Sequence, residues 1–358
     1  MSPPSSTTAA AGLLLKNRIV AAIRGAIVAD AATMGLHWIY DPLELQTRIT
    51  SSGRTLSEPE FLTPPQPNFY SAQEFRGHYQ AGMSSPYGEL LTHTLQHVAS
   101  VGPTHLSGQT TSKALYTWAK SFGGRPDGAL KKFIETYDQH KDATDYVCCG
   151  ADDDQQAMIY AKVVPVTCLF AGQPELPQKL EDVIRAHQNS DNAVRFGLAA
   201  SRLLEAVLLG APLDQALATC YENSQDASIQ EAYDWAKAAA ASGDSLEQSL
   251  LKLSHEMLKD QPDSPMYNFT ARSCNTPQAF MGPLALFFRP EMTFASAVRE
   301  NILAAGDNCS RSIFIGSIYG ALEGREATEE WFGKCFHIVQ DACVASAKQI
   351  STLRTGIE

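Results

Sequence analysis

The sequence predicts an all-α protein that forms a single domain. Apolar residues recur at intervals of three and four along most of the 358-residue chain, which is the period of an amphipathic helix. Alternating runs joined by hairpin dipeptides are nearly absent, and no shift in composition marks a linker between two domains. With 44% hydrophobic and 19% charged residues, the chain has ample material for a core. We therefore expect one helical domain over residues 13–358, after a disordered tail over 1–12 that is rich in Ser, Thr, Pro and Ala.

Helical patterns follow one another with few interruptions. Residues 18–36 form an Ala-rich first helix, and residues 42–86, rich in Pro, Ser and Gly, are expected to form a long loop with little regular structure. Further helices are expected over 87–101, 107–122, 129–137, 155–170, 177–188, 190–209, 212–222, 226–241, 244–258, 279–288, 293–304, 309–323 and 327–350.

Charge and cysteine content restrict the partners. A net charge of −11 and a pI near 5.3 argue against a nucleic acid or an anionic membrane as the main partner. We expect that no apolar run approaches the length of a membrane span, and no basic segment precedes the first apolar residues as in a secretory signal. Eight cysteines without a CxxC pair indicate free or buried thiols. We expect a cytoplasmic protein, a monomer or a small homo-oligomer.

A polar segment between two apolar helices is the most informative part of the sequence. One helix ends at Gly306, and a second follows at once, with small residues at Gly316, Gly320 and Ala321 that allow another helix to approach closely. The segment between them carries Asp307, Asn308, Cys309, Ser310 and Arg311. A helix N-terminus favours negative charge, so the segment is either an Asp-capped helix start or a binding site. Arg311 and the helix start are expected to lower the pKa of Cys309.

Three other groups of polar residues are candidate sites. One helix face is expected to carry Glu89, His93 and His97. The two interpretations of this face are a transition-metal site and an exposed polar face. An expected helix start carries the run Asp152, Asp153 and Asp154. These aspartates either cap the N–H groups of that helix or bind a ligand. Asp30 lies on the first apolar helix, and His37 and Tyr40 follow that helix. The carboxylate of Asp30 is either paired with a partner inside the core or faces a cleft.

The order of these segments resembles a known family. The first helix carries Gly25, Asp30 and Gly35, an acidic helix start lies at Glu89, and the run 189–193, Asn-Ser-Asp-Asn-Ala, opens a helix that ends near Gly210. Late in the chain, Arg-Glu-Asn at 299–301 leads into Gly-Asp at 306–307. Over about residues 18–323 this is similar to the ADP-ribosylglycohydrolase family, and the run 37–41, His-Trp-Ile-Tyr-Asp, is similar to a subgroup of it.

The resemblance implies a single orthogonal helical bundle that binds magnesium between an early and a late acidic motif. The early family motif, Thr-Asp-Asp-Thr, corresponds here to Tyr-Gly-Glu-Leu at 87–90, and the late motif, Gly-Gly-Asp-Thr-Asp-Thr, to Ala-Gly-Asp-Asn-Cys-Ser at 305–310. Glu89 and Asp307 remain as metal ligands, whereas Cys309 replaces the second aspartate. Because magnesium requires several oxygen ligands, the metal is expected at reduced occupancy or not at all. The pattern is closer to the branch with lens-crystallin and selenoprotein members.

The resemblance favours a hydrolase that cleaves a glycosidic, ADP-ribosyl-like or related bond of a small-molecule or nucleotide-like substrate. Cleft carboxylates would activate water. The expected catalytic residues are Glu89, Asp307 and Asp153. The expected substrate-binding residues are Asp30, His37, Tyr40, Asp152, Asp154, Asn308, Cys309, Ser310 and Arg311. Two alternatives remain: an enzyme repurposed for another small molecule through the altered Asp-Asn-Cys-Ser-Arg site, and a catalytically inactive binding or structural protein of the same fold.

Overall fold

The computed structural model describes residues 6–64, 79–143 and 145–355, with side chains from 12 to 354. Sixteen α-helices account for most of these residues, and no β-strand occurs among them, which confirms the all-α prediction. The helices are α1 (Ser6–Thr33), α2 (Pro42–Ser51), α3 (Pro86–His105), α4 (Gly108–Ser121), α5 (Gly128–His140), α6 (Tyr160–Phe170), α7 (Leu176–Arg185), α8 (Asp191–Leu208), α9 (Leu213–Glu222), α10 (Ala227–Ala241), α11 (Leu246–Met257), α12 (Gln278–Phe287), α13 (Phe294–Leu303), α14 (Asn308–Glu323), α15 (Glu329–Phe332) and α16 (His337–Thr355).

The long loop expected over 42–86 contains a helix, so that part of the prediction is wrong. Asp41 accepts a hydrogen bond from the backbone N–H of Leu43, and Pro42 occupies the first turn of α2. Aspartate is common just before a helix because its side chain accepts a backbone N–H that would otherwise be unpaired. Proline is common in the first turn because it has no N–H to leave unpaired there. Residues 65–78 of the expected loop lie outside the described residues.

The two ends of the chain also differ from the prediction. Residues 1–5 of the expected tail lie outside the described residues, and α1 already begins at Ser6, through an Ala-rich run with high helix propensity. The single helix expected over 327–350 is divided into a 3₁₀ turn, Glu326–Thr328, and the helices α15 and α16. Between them the N–H of Phe336 donates to the carbonyl of Gly82, so a tertiary contact replaces helix continuation.

The segment Gly12–Leu36 is long and apolar enough to cross a bilayer by length and composition alone. The expectation that no apolar run approaches that length is therefore wrong. Within the protein, 94% of its most apolar window is buried, and the helix packs against α14, α16, α6 and α3. A central core helix passes the same test of length and composition as a membrane span does.

α1 and α14 pack at backbone distance through glycines. A Cβ atom at Gly316 would overlap the carbonyl oxygen of Gly25, and one at Gly320 would overlap the carbonyl oxygen of Ala21. The small residues predicted to permit a close helix contact therefore do so, and α1 is the helix they contact.

A short backbone bridge connects the ends of these two helices. The N–H of Trp38 donates to the carbonyl of Gly306 at 3.0 Å, and the N–H of Gly306 donates to the carbonyl of Ile39 at 2.7 Å. Trp38 and Ala305 both have left-handed backbone conformations, with φ of 62° and 65°. Such conformations cost on the order of 1–3 kcal/mol each in a residue other than glycine. The surrounding helices hold both residues in this strained geometry, which brings His37 beside Asp307.

Substitution of Gly316 by alanine tests the α1–α14 contact. We expect Gly316→Ala to destabilise the protein by about 3 kcal/mol or more, because the new methyl group meets the backbone of α1, which has no room to move. Gly128→Ala is the matched control, since nothing lies within 4 Å of a Cβ atom there. Urea unfolding measures both, and equal stability of the two variants would contradict the contact.

Candidate functional site

The carboxylate of Asp307 is the centre of the candidate site. Asp307 immediately precedes α14 and is fully buried. Its Oδ2 accepts a hydrogen bond of 2.5 Å from the hydroxyl of Tyr87 on α3. Its Oδ1 lies 3.6 Å from Nε2 of His37 and makes no hydrogen bond of ordinary geometry within the described residues. A buried carboxylate oxygen without such a bond is costly, so it marks a position where a ligand or water would be stabilised.

His37 is held against Asp307 by the start of α14. Its Nδ1 lies 3.2 Å from Oδ1 of Asn308, and the N–H of Cys309 points at the same nitrogen from 3.4 Å. Burial lowers the pKa of His37 to about 4, although the neighbouring Asp307 opposes this shift. The imidazole is therefore neutral at pH 7. The predicted candidates His37, Asn308 and Asp307 are brought together.

Arg311 is placed differently from the prediction. It is fully buried, and its guanidinium donates to the side chain of Asn301 at 2.7 Å and to the backbone carbonyls of Ala305 and Arg272 at 2.6 and 3.4 Å. Burial lowers its pKa to about 10. With its donors directed at internal acceptors, Arg311 fixes the turn before α14 and is not available to bind a substrate, contrary to its expected role.

Cys309 and Ser310 are also enclosed. The Cys309 thiol lies 3.9 Å from the carbonyl of Asp30, and the Ser310 hydroxyl donates to the carbonyl of Asp307. Burial raises the pKa of Cys309 well above its ordinary value, with the nearby Asp30 carboxylate as the next cause. The lowering of this pKa by Arg311 is smaller than the effect of burial, so the expectation of a lowered pKa for Cys309 is wrong.

Asp30 is a buried carboxylate that caps the start of α3. Its two oxygens accept the hydroxyl of Ser85 at 2.5 Å and the N–H of Ser85 at 2.9 Å. Gly88 is required beside it, because a Cβ atom there would overlap Oδ2 of Asp30. Burial raises the pKa of Asp30 to about 7, against the opposing effect of Ser85. Of the two predicted alternatives, the geometry matches the paired core carboxylate.

Glu89 and Tyr40 lie at the edge of the site. Glu89 is half-buried in the first turn of α3, where its Oε2 accepts the hydroxyl of Tyr79 at 2.7 Å. Tyr40 is half-buried with its ring edge-on to Phe269, and burial followed by the charge of Asp307 raises its pKa. Both remain candidates for contact with a ligand.

The three consecutive aspartates are not part of this centre. Asp152 and Asp153 are exposed and pair with Lys132 at 2.5 and 3.0 Å. They lie in a turn. The helix that was expected from residue 155 is α6, which begins only at Tyr160. Asp154 points inward and accepts hydrogen bonds from Gln156 and Gln188.

The face that carries Glu89, His93 and His97 is packed. His93 stacks on Trp118 with ring centres 5.0 Å apart, and the His97 ring lies 3.3 Å from the hydroxyl of Thr111. Burial lowers the pKa of His93 to about 4. Of the two predicted alternatives, the exposed polar face is wrong, because both histidines pack against α4. Among the described residues, these side chains also form no group of three that could hold a metal.

A small cavity adjoins Tyr87, whose hydroxyl is bonded to Asp307. Its volume is about 10 Å³, which is room for about one water molecule. Aromatic rings form much of its wall, and polar groups face it from two other elements. The residues that line it are Trp38, Pro86, Tyr87, Leu90, Trp118, Phe122, Arg125, Asp127, Leu130, Met158 and His187.

A buried network behind this cavity is missing from the sequence-based prediction. Lys162 on α6 donates to the carbonyl of Met158 and to Oε1 of Gln188, and its Nζ lies 2.8 Å from Nδ1 of His187. Burial lowers the pKa of Lys162 to about 7. In its charged form the three N–H donors of the ammonium group make Nδ1 of His187 the acceptor and place the His187 proton on Nε2. That nitrogen has no hydrogen-bond partner among the described residues and faces Asp127 at 3.9 Å. Lys162 lies in an apolar helix, which is the one signal that sequence reasoning had available.

Asp127 completes this second polar group. Its Oδ1 accepts the N–H of Leu130 and caps α5. Burial raises the pKa of Asp127, against the opposing effects of Leu130 and Lys162. Burial, and then the charge of Asp307, raise the pKa of Tyr87, and Asp127 adds to this shift from the cavity side. Two carboxylates thus act on one tyrosine.

The residues around Asp307 do not fit a magnesium ion. Such an ion requires near-octahedral oxygen ligation. One oxygen of Asp307 is bonded to Tyr87, both oxygens of Asp30 are bonded to Ser85, and Cys309 presents a protonated thiol where the family has a carboxylate. Within the parts of the chain that the structure describes, no group of three or more His, Cys, Asp or Glu side chains is arranged to hold a metal.

Comparison with known proteins identifies the family. The chain matches the ADP-ribosylglycohydrolase family over residues 12–355 and therefore belongs to it. Crystallin J1A of Tripedalia cystophora is 27% identical over 333 residues, or 87% of this chain and 89% of the relative. Crystallin J1B of the same organism is 29% identical over 221 residues, or 54% and 59%. A solved structure described as an ADP-ribosylglycohydrolase-related protein complex shares the fold, with a TM-score of 0.60 at 14% identity over 95% of this chain and 99% of that one.

The buried carboxylate of Asp30 makes stability depend on pH. Because its pKa is raised from 3.8 to about 7, the native state keeps a proton that the unfolded chain has lost between these values. The wild type should therefore lose stability relative to Asp30→Asn as the pH rises from about 4 to about 7, by on the order of 4 kcal/mol, and the difference should then stay constant. Urea unfolding of both proteins across this range measures it. Parallel stability curves would refute the assignment.

Proposed function

We propose that the chain is a hydrolase that cleaves a glycosidic, ADP-ribosyl-like bond of a small-molecule or nucleotide-like substrate. Membership of the ADP-ribosylglycohydrolase family supports the reaction class. The observation that carries the proposal is the buried carboxylate of Asp307, whose Oδ1 lacks an ordinary hydrogen bond while Tyr87 and His37 fix its orientation. A carboxylate held in this way can accept a proton from a water molecule in hydrolysis.

The two carboxylates beside Tyr87 have different environments, which suits acid–base catalysis. Glycosidases commonly use one carboxylate as a base and one protonated carboxyl group as an acid. In our proposal Asp307 is the general base. Asp127 is the general acid, because burial raises its pKa and favours the protonated form, and its neighbours His187 and Lys162 can return a proton to it. The oxygen of water bonds to the anomeric carbon as Asp307 takes a proton from that water. The glycosidic bond breaks, its electron pair stays with the leaving group, and the leaving group takes the proton of Asp127.

Replacement of either carboxylate tests these roles. Turnover of ADP-ribosylated arginine, ADP-ribosylated serine and O-acetyl-ADP-ribose would be followed for the wild type, Asp307→Asn and Asp127→Asn. We expect kcat/KM to fall by about 10²- to 10⁴-fold in each variant, as is typical for loss of a general acid or base. Asp263→Asn, at an exposed residue, is the control and should retain full activity. Activity that survives both site substitutions would refute the proposed roles.

We also propose that the reaction does not require magnesium, because the side chains near Asp307 do not provide its ligands. We expect millimolar magnesium chloride to leave the melting temperature and the activity unchanged relative to the same solution with a chelator. A cation at one hundred times its dissociation constant would add about 2.7 kcal/mol of stability, which a melting experiment detects readily. A saturable rise that is lost in Asp307→Asn would overturn this proposal.

A catalytically inactive structural protein of the same fold is the second candidate. Two relatives are crystallins by name, and the cavity beside Tyr87 is about 10 Å³, far smaller than a nucleotide. An enzyme that uses Cys309 as its nucleophile is disfavoured, since burial keeps that thiol protonated. An absence of turnover in an unbiased screen of metabolites would favour the structural role over the hydrolase.

A further inference from the structure

A second concave region lies between α1 and α16, away from Asp307. It has a volume of about 260 Å³, close to the lower limit of about 300 Å³ for small-molecule pockets. Its apolar wall consists of Val20, Phe332, Val344 and Ala347. We call this region the α1–α16 groove.

The inner side of the groove holds a buried arginine whose hydrogen bonding is incomplete. The side chain of Arg24 on α1 is only 4% exposed, and its guanidinium lies 4.0 Å above the ring of Phe332. Nη2 donates to Glu329 at 2.8 Å, whereas Nε is buried without a hydrogen-bond partner among the described residues. A buried cation that is only partly paired is costly, and an anion in the groove would offset that cost.

Two further cations line the same groove. Arg325 and Lys348 are exposed, and neither forms an ion pair with any described residue. Cys343 lies at the base, where burial raises its pKa to about 12 while Arg24 and Arg325 both oppose the shift. Arg24, Arg325 and Cys343 thus line one groove.

The lining therefore has three cations and no acidic residue, although the whole chain has a net charge of −11. Glu329 neutralises only part of this charge, because its own side chain is 68% exposed and reaches Arg24 from outside. The groove thus combines positive charge with an apolar wall, which matches a molecule that carries both a negative charge and an apolar part.

We propose that the α1–α16 groove binds an amphipathic anion, namely a carboxylate or phosphate monoester with a short apolar tail. The anionic group lies among Arg24, Arg325 and Lys348, and the tail lies against Phe332 and Val344. This site is independent of the proposed hydrolase reaction, which takes place at Asp307.

Octyl phosphate, below its micelle concentration, is the probe for isothermal titration calorimetry. Octanol carries the tail alone and inorganic phosphate carries the charge alone. We expect one saturable site for octyl phosphate, with binding at least about tenfold tighter than for either partial probe, because apolar burial and charge act together. Equal affinity for octyl phosphate and octanol, or no binding of octyl phosphate, would overturn the proposal.

Matched variants locate the site without disturbing the core. Arg325→Gln and Lys348→Gln should each weaken octyl phosphate binding about three- to fivefold, as expected for exposed cations. Lys113→Gln, at an exposed lysine on α4, is the control and should bind as the wild type does. If Arg325→Gln and Lys348→Gln bind octyl phosphate as tightly as Lys113→Gln does, the assignment of the binding site to this groove is refuted.

A membrane surface also presents anionic groups joined to apolar tails. Binding to lipid vesicles distinguishes recognition of such a surface from binding of a free ligand. Sedimentation with phosphatidic acid vesicles should be no greater for the wild type than for Arg325→Gln. Vesicle binding that depends on Arg325, without binding of free octyl phosphate, would show that the groove recognises a lipid surface and would overturn the proposal of a free ligand.

Discussion

The contact between α1 and α14 determines the geometry of the rest of the protein. Gly25, Gly316 and Gly320 let the two helices meet at backbone distance, and the bridge between Ile39 and Gly306 extends that contact to the helix ends. The apolar core surrounds this pair. Because the helices cannot slide without overlap of backbone atoms, the segment that follows α1 and the segment that precedes α14 have one relative position.

The polar groups on this pair are satisfied to very different extents. Arg311 and Asn301 direct their donors at internal acceptors, and Asp30 is fully paired with Ser85. Oδ1 of Asp307 and Nε2 of His187 lack ordinary hydrogen bonds within the described residues. In a protein interior the first set stabilises structure, whereas the second set marks groups available for chemistry. The contrast separates residues that hold the site together from residues that can act in it.

The sequence was sufficient for the helical class, the family and the close packing at Gly316, and it placed Asp307 in one group with His37 and Asn308. These follow from periodicity, small-residue spacing and motif order. It was not sufficient for Arg311 or Cys309, since neighbours along the chain are visible in a sequence but burial is not. Nor did it indicate His187 and Asp127, which tertiary packing brings together from distant segments. The α2 helix was missed because proline and serine were read as loop residues although Asp41 and Pro42 form a helix start.

The distance along the chain between the two halves of the site affects how the protein is made. His37 and Asn308 are in contact although they are 271 residues apart in the sequence. Contacts of such long range form late in folding, since a large loop must close before they provide any stabilisation. During synthesis, the faces of α1 that pack against α14 and α16 therefore lack their partners until those two helices leave the ribosome. Protection of α1 by a chaperone during that interval would be an advantage, and the site itself exists only in the completed chain.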